Sequence, residues 1–323
     1  MRKCMIIIFG PTGVGKTDFG EQLASRLPAE IVNADLGQFY TPLSIGTAKP
    51  NWQNSPIPQH LFDIINEPRL MTVSEYRDQA LQTFNQIWAR GNIPIIVGGS
   101  GFYLKSLFFP PQASIDKDFE YSFEGDGWKQ LYEIDPERAL KIHPNDTYRI
   151  TRALSIFHAT GKKPSEYQPS YQPVGSFCFV YLTRQRPDLY SRIDQRVRIM
   201  LNEGWIPEVE RLQGTSWETF LKKKKLIGYD DILEYLEGEK KELQLNALTD
   251  SIAQKTRNYA KRQITLGNQL FNQLENVLFQ TADKTSSCVQ FDLTCPPIEL
   301  YINQLLQRVD SMHCFDKDRS ENV

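Results

Sequence analysis

The strongest chemical signal in the chain is Gly10-Pro11-Thr12-Gly13-Val14-Gly15-Lys16-Thr17. It fits G-x-x-x-x-G-K-[ST], the pattern of a loop that cradles phosphates. Glycines let the backbone wrap an anion with its N–H groups, and a helix starting there adds partial positive charge. Lys16 neutralises phosphate oxygens and Thr17 ligates Mg²⁺ in such a loop. The stretch from Gly10 to Thr17 therefore predicts a grip on a di- or triphosphate. On its own it leaves hydrolysis, transfer and simple holding equally open.

Asp35 follows a second apolar run, Glu30-Ile31-Val32-Asn33-Ala34. A carboxylate there can accept a proton from an incoming nucleophile; a turn or helix cap is its other use. Gln38 offers both a donor and an acceptor, a set that can pair with an adenine edge, although a solvated loop would also suit it. Basic residues cluster at Arg184, Arg186, Arg192, Arg196 and Arg198, at Lys222 to Lys225, and at Lys255, Arg257, Lys261 and Arg262. Charge runs are usually solvated faces. Three of them in one half of a chain with net charge −2 fit a local groove for a phosphate backbone. The five cysteines and four histidines have no metal-ligand spacing. They predict reduced thiols in a cytoplasmic protein and histidines in structural roles.

These residues need elements to position them. Cys4 to Phe9 reads as a buried strand, Lys16 to Leu27 as a helix, and Ile93 to Val97 and Phe177 to Leu182 as further buried strands. His60 to Ile64 is a short strand candidate. Val73 to Arg90 places Tyr76, Ala80, Phe84 and Ile87 on one helical face. Strand–helix alternation predicts a parallel sheet, with Asp35 and the loop to Pro50 at its carboxyl edge, where ligands bind in such sheets. Residues 110–127 break the pattern; Trp128 to Ile142 predicts a helical pair split near Pro136, and a helix capped by Asn145-Asp146 ends at Gly161. From Pro187 to about Leu266 the chain reads as helical, and Ile298 to Val309 as one more helix. A length of 323 residues and 40% hydrophobic content suit about two domains. No apolar run is long enough to span a membrane.

Taken together the segments resemble the bacterial tRNA dimethylallyltransferases, also called tRNA isopentenyltransferases. The matching pieces are GPTGVGKT (10–17), NADLGQFY (33–40), IGTAKP (45–50), HLFDI (60–64), IIVGGSGFYLKSL (95–107), HPNDTYRITRAL (143–154), RIDQRVRIML (192–201), LIGYDDI (226–232) and TRNYAKRQIT (256–265). The resemblance implies an α/β fold, a P-loop NTPase-like parallel sheet core with a small helical insertion and a mostly helical C-terminal half. It divides the chain into a first part of the core (1–109), a short insertion (110–143), the rest of the core with an RNA-binding wall (144–268), and an extension (269–323). It implies transfer of a dimethylallyl group from its diphosphate, with Mg²⁺, to the adenine amine just 3′ of the anticodon, by a monomer with no membrane partner. Lys16, Thr17 and Asp35 are the implied catalytic groups, and Arg196 joins the phosphate loop in holding diphosphate. The implied contacts to the tRNA anticodon stem-loop are Asp35, Leu36, Gly37, Gln38, Ser100, Arg149, Arg152, Lys225, Gly228, Tyr229, Lys261, Arg262 and Gln263.

The chain departs from the family pattern in places. The usual Asp-Ser-Met-Gln is Asp35-Leu36-Gly37-Gln38, and the usual Gly-Gly-Thr-Gly is Gly98-Gly99-Ser100-Gly101. The stretch after Pro110 is shorter than the usual insertion. Leu266-Gly267-Asn268 replaces a usual Trp-Phe-Arg, removing an aromatic and a cation from the expected RNA-facing wall. A P-loop kinase of small molecules or nucleotides, and a tRNA-binding relative without catalysis, are the alternative readings.

Overall fold

Six strands pair into one parallel sheet in this computed structural model, which describes residues 3–111, 121–167, 169–238, 242–295 and 297–311. They are β1 (Cys4–Phe9), β2 (Ala29–Asn33), β3 (Gln59–His60), β4 (Ile93–Gly98), β5 (Ser176–Thr183) and β6 (Ser287–Asp292), in the order β3-β2-β4-β1-β5-β6. Every pairing between these strands is parallel. Helices cover a parallel sheet on both faces, so its central strands are continuously apolar; β1 is buried along its whole length. The chain leaves β1 toward β2 on one side, while β5 lies on the other. This places the carboxyl end of β1 at the switch point where open α/β sheets bind ligands.

Helix α1 (Lys16–Ala24) follows β1, and α2 (Val73–Ala89) carries a capping box, Thr72 with Glu75. After α3 (Gly101–Ser106), the helices α4 (Gly127–Ile134), α5 (Pro136–Ala139) and α6 (Thr147–Thr160) follow. Asp146 caps α6, and Gly161 ends it in the left-handed region. Residues 106–172 form a compact unit around Leu131, Ile142, Ile150 and Leu154. The helix α6 belongs to that unit. The other unit, 3–105 with 173–311, contains the sheet and the helices α7 (Arg186–Asn202), α8 (Trp205–Glu210), α9 (Ser216–Lys224), α10 (Tyr229–Glu237), α11 (Glu242–Thr281) and α12 (Ile298–Ser311).

Three secondary-structure elements differ from the sequence reading. The strand expected over 60–64 ends at His60, because Leu61 and Asp63 take positive φ and Asp63 turns to accept from Lys49 and Trp52. The helix expected to stop near Leu266 continues to Thr281. The strand β6 has no counterpart in the sequence reading: it alternates, with Val289 and Phe291 inward and Gln290 outward, as an edge strand does. Val289, Phe291 and α12 residues Ile302, Leu305 and Val309 share a core with Phe19 and Leu23 of α1. Cys178, Cys288 and Cys295 are free thiols, whereas Cys4 departs from the expectation of reduced cysteines by being disulfide-bonded. Among the described residues no helix is long and apolar enough to cross a membrane.

Candidate active site

The phosphate loop is shaped by contacts a side chain would not permit. A Cβ at Gly10 would lie 2.6 Å from the Leu182 carbonyl oxygen, and Gly15 has φ near 107°, a conformation that favours glycine. Lys16 Nζ donates to the carbonyls of Gly10 and Pro11, both at 3.1 Å. Two arginines brace the loop: Arg184 Nε donates to Val14 O at 2.8 Å and Arg192 Nε to Gly13 O at 2.9 Å. Four loop carbonyls are thus engaged by cations, and two of those cations, Lys16 and Arg192, also line the cleft. Burial lowers the Lys16 pKa, opposed by the Asp35 charge and reinforced by Arg196. Burial likewise lowers that of Arg196, with Asp35 again opposing.

Asp35 is set by the strand ends beside it. The Gly99 amide donates to its Oδ1 at 2.9 Å, and its own amide donates to Asn33 Oδ1 at 2.9 Å. Ser100 Oγ accepts from the Leu36 amide at 3.1 Å. Gly98 passes so close to Ala34 that a Cβ would meet its backbone at 2.3 Å. The β2 and β4 ends are thus locked together, and Asp35 cannot wander from the phosphate loop. Gln38 spends its Nε2 on the carbonyls of Thr47 (3.2 Å) and Ala48 (3.3 Å), and among the described residues no donor reaches its Oε1.

All of these groups open on one cleft of about 760 Å³. The loop contributes Thr12, Gly13, Gly15, Lys16 and Thr17; the β2 end contributes Asp35, Leu36, Gly37 and Gln38, and the β4 end Ser100. Arg196, Lys225, Tyr229, Arg262 and Gln263 line it from the helical side. Apolar Ile193, Val197, Met200 and Ile227 make the remaining wall. Gly10, Pro11 and Val14 lie behind the loop surface. Gly228 sits behind the wall, where a Cβ would meet the Trp205 ring at 2.0 Å. Lys261 is exposed on α11 beside Asn258. Arg149 and Arg152 are exposed on α6 in the second unit, Arg149 paired with Asp146.

Solved and curated proteins place this arrangement. A family model described as IPP transferase matches residues 38–269, and one described as isopentenyl transferase matches residues 3–56. The chain belongs to the IPP transferase family. The tRNA dimethylallyltransferase of Thermotoga neapolitana is 37% identical over 285 residues, covering 85% of this chain and 91% of that protein. That of Alkaliphilus oremlandii is 35% identical over 302 residues, covering 89% and 94%. Among solved structures, the full-length tRNA isopentenylpyrophosphate transferase of Bacillus halodurans matches with a TM-score of 0.63 at 28% identity, covering 96% of this chain and 97% of that one. A eukaryotic dimethylallyltransferase acting on tRNA matches with a TM-score of 0.73 at 26% identity, covering 95% and 77%.

Sequence reasoning missed the support of this family site. Glu208 is buried and accepts from the amides of Ser44 (3.0 Å), Ile45 (2.7 Å) and Gly46 (3.2 Å), and from the Tyr229 hydroxyl (2.7 Å). It fastens the loop that in turn holds Gln38. A glutamate four residues after Gly204 gives no sign of this in sequence, because its partners are backbone atoms distant in the chain. Tyr259, another lining residue, was also missed; it precedes Gln263 by one helical turn and so shares its face.

Proposed function

We propose that this chain transfers a dimethylallyl group from dimethylallyl diphosphate to the N6 amine of the adenine 3′-adjacent to the anticodon in tRNA, releasing diphosphate. The observation that carries this reading is that the phosphate loop and the Asp35 carboxylate line one cleft. The Thermotoga and Alkaliphilus relatives named above are tRNA dimethylallyltransferases. The loop amides other than those of Thr12 and Val14, which are spent on Gln263 and Pro11, join Lys16 and Arg196 in holding the diphosphate and stabilise the charge that grows as the allylic C–O bond breaks. The amine nitrogen forms the new bond to that carbon, and Asp35 takes its proton. Ile193, Val197 and Met200 offer the branched hydrocarbon an apolar wall and exclude water from the allylic centre.

The metal expected here fits the residues present. The described residues hold no cluster of three or more His, Cys, Asp or Glu, so there is no all-protein cage, and the Thr17 hydroxyl is exposed in the cleft. Mg²⁺ is commonly held by one or two protein groups with substrate oxygens and waters. Thr17 would hold it, and when bound it supplies charge neutralisation on the diphosphate oxygens.

The target base leaves its stack to enter, as in other base-modifying enzymes. Asp35, Leu36, Gly37, Gln38 and Ser100 meet it, and Lys225, Tyr229, Lys261 and Arg262 receive the RNA around it, with Gly228 shaping the wall. Arg149 and Arg152 provide further phosphate contacts. The reaction takes place in the cytoplasm. A kinase is not favoured: β4 runs into Gly98-Gly99 and carries no acidic residue, and the matched relatives act in tRNA prenylation by name. Incubation with tRNA, dimethylallyl diphosphate and Mg²⁺, followed by mass analysis of anticodon-loop nucleosides, tests the proposal. Unmodified adenine in every tRNA offered would refute it.

A further inference from the structure

Gln263 lies on α11 between the exposed Lys261 and Arg262 and the half-buried Leu266, yet it is itself only 4% exposed. Both ends of its carboxamide are engaged inside the protein. Its Oε1 accepts from the Thr12 amide at 2.8 Å, and its Nε2 donates to the Gly99 carbonyl at 2.9 Å. Thr12 belongs to the phosphate loop. Gly99 is the residue whose own amide holds Asp35 Oδ1. One side chain therefore joins three things: the loop that would hold the leaving group, the turn that holds the base, and the helix carrying two exposed cations. The fit is tight. A Cβ on Gly99 would lie 2.3 Å from Gln263 Nε2 and 3.3 Å from Asp35 Oδ1.

We propose that Gln263 is a positioning residue for prenyl transfer: its carboxamide fixes the separation of the phosphate loop and the Asp35 turn, and so aligns the amine with the allylic carbon. This rests on the transferase reading above. The carboxamide accepts from the part-buried Thr12 amide, donates to the buried Gly99 carbonyl and also bonds Tyr259, so most of its hydrogen-bonding capacity is turned toward the protein. Its effect on the reaction runs through Thr12 and Gly99. Displacements of about 1 Å in such an alignment cost on the order of 10²-fold in rate.

Two variants test the role. Gln263→Met keeps the length and removes both hydrogen bonds. Its expected signature is a kcat about 10²-fold lower, with the Kd for tRNA within about threefold of wild type and an unchanged salt slope. Gln263→Glu keeps the acceptor for Thr12. When protonated it also regains a donor for Gly99, and burial beside Asp35 raises its pKa. The charged and titratable groups around it are Asp35, Lys16, Arg196, Arg262 and Tyr259. Measuring the Gln263→Glu rate as a ratio to wild type at each pH cancels their own titration to first order. That ratio is expected to rise as pH falls from about 8 to about 6.

A flat ratio overturns the proposal, as does a weakened Kd for tRNA with kcat retained, which would make Gln263 an RNA contact. If Gln263→Met does not fold, the Gln263→Glu pH ratio decides alone. Wild type run alongside separates the two levels. Full transfer by wild type and both variants defeats the positioning role only, whereas no transfer by wild type defeats the transferase reading and this proposal with it.

Discussion

Asp35 is held on one side and open on the other. Its Oδ1 is fixed by the Gly99 amide, and among the described residues no hydrogen-bond donor reaches Oδ2. Asn in its place keeps an oxygen for Gly99 and loses the basic oxygen that faces the cleft. Asp35→Asn is expected to lower turnover by about 10²–10⁴-fold while calorimetry finds diphosphate binding nearly unchanged; wild-type turnover would remove Asp35 from the mechanism. The proposed chemical residues, Lys16, Thr17 and Asp35, were legible in the sequence because each sits at a fixed offset from a strand end or a motif glycine. The support was not legible, since Glu208 works through backbone amides far away in the chain. Position 267 is also clearer in three dimensions. Gly267 was read as an aromatic lost from an RNA-facing wall, but it is buried, and a Cβ there would lie 2.6 Å from Phe9 Cε1 and 2.7 Å from Tyr181 Cε2. The aromatic mass is supplied from the sheet instead, by Phe9 and Tyr181 stacked at 5.8 Å. Gly267→Ala would gain up to about 1 kcal/mol of helix propensity but overpack two buried rings at a cost of roughly 1–3 kcal/mol. A net loss in denaturant midpoint is therefore expected; an increase would mean the rings can yield.

Among the elements, the sheet is pinned at its other end by one carboxylate. Glu30, the second residue of β2, is almost fully buried and receives Arg90 Nε and Nη2 at 2.8 and 2.7 Å, Asn92 Nδ2 at 2.8 Å and His60 Nε2 at 2.6 Å. It thus ties the end of α2 and the short β3 to β2. Burial alone would raise its pKa, but the bonds from Arg90, Asn92 and His60 outweigh that and bring it to about 2 from a usual 4.5. A carboxylate whose folded pKa is depressed stabilises the fold above its unfolded pKa and loses that contribution as pH falls through the folded one. Thermal melts of wild type should therefore fall between pH 4.5 and about 2 more steeply than those of Glu30→Gln, and parallel curves would deny Glu30 that role. The strands of the central sheet were legible because doubly buried parallel strands are unbroken apolar runs. The strand β6 was not, because an edge strand alternates and its polar half reads as loop. The full length of α11 was hidden by Gly267, a helix-breaking signal that close packing against Phe9 and Tyr181 overrides.

At the scale of the whole molecule, charge has to be local to matter. A net charge of −2 gives no general attraction for RNA, so affinity must come from cations gathered where the cleft opens. Lys261 and Arg262 are exposed on consecutive positions of α11, Arg262 lines the cleft, and neither stands in an ion pair with an acidic partner among the described residues. Arg184, Arg192 and Arg257 are different: they are engaged with Val14, Gly13 and Asp194 respectively, so the same count of basic residues in sequence divides into those that build the site and those free to meet phosphate. Each freed cation that neutralises a phosphate contributes roughly one unit to the dependence of log affinity on log salt. Lys261→Ala and Arg262→Ala are each expected to weaken tRNA binding at low salt and to flatten that dependence by about one unit, with the two effects adding in the double variant. Arg257→Ala, which breaks an internal ion pair, is expected to lower stability while leaving the salt slope in place. Titrations of tRNA binding across salt concentrations measure all of these together. A wild-type slope in the Lys261→Ala and Arg262→Ala proteins would move the RNA path off this face of α11.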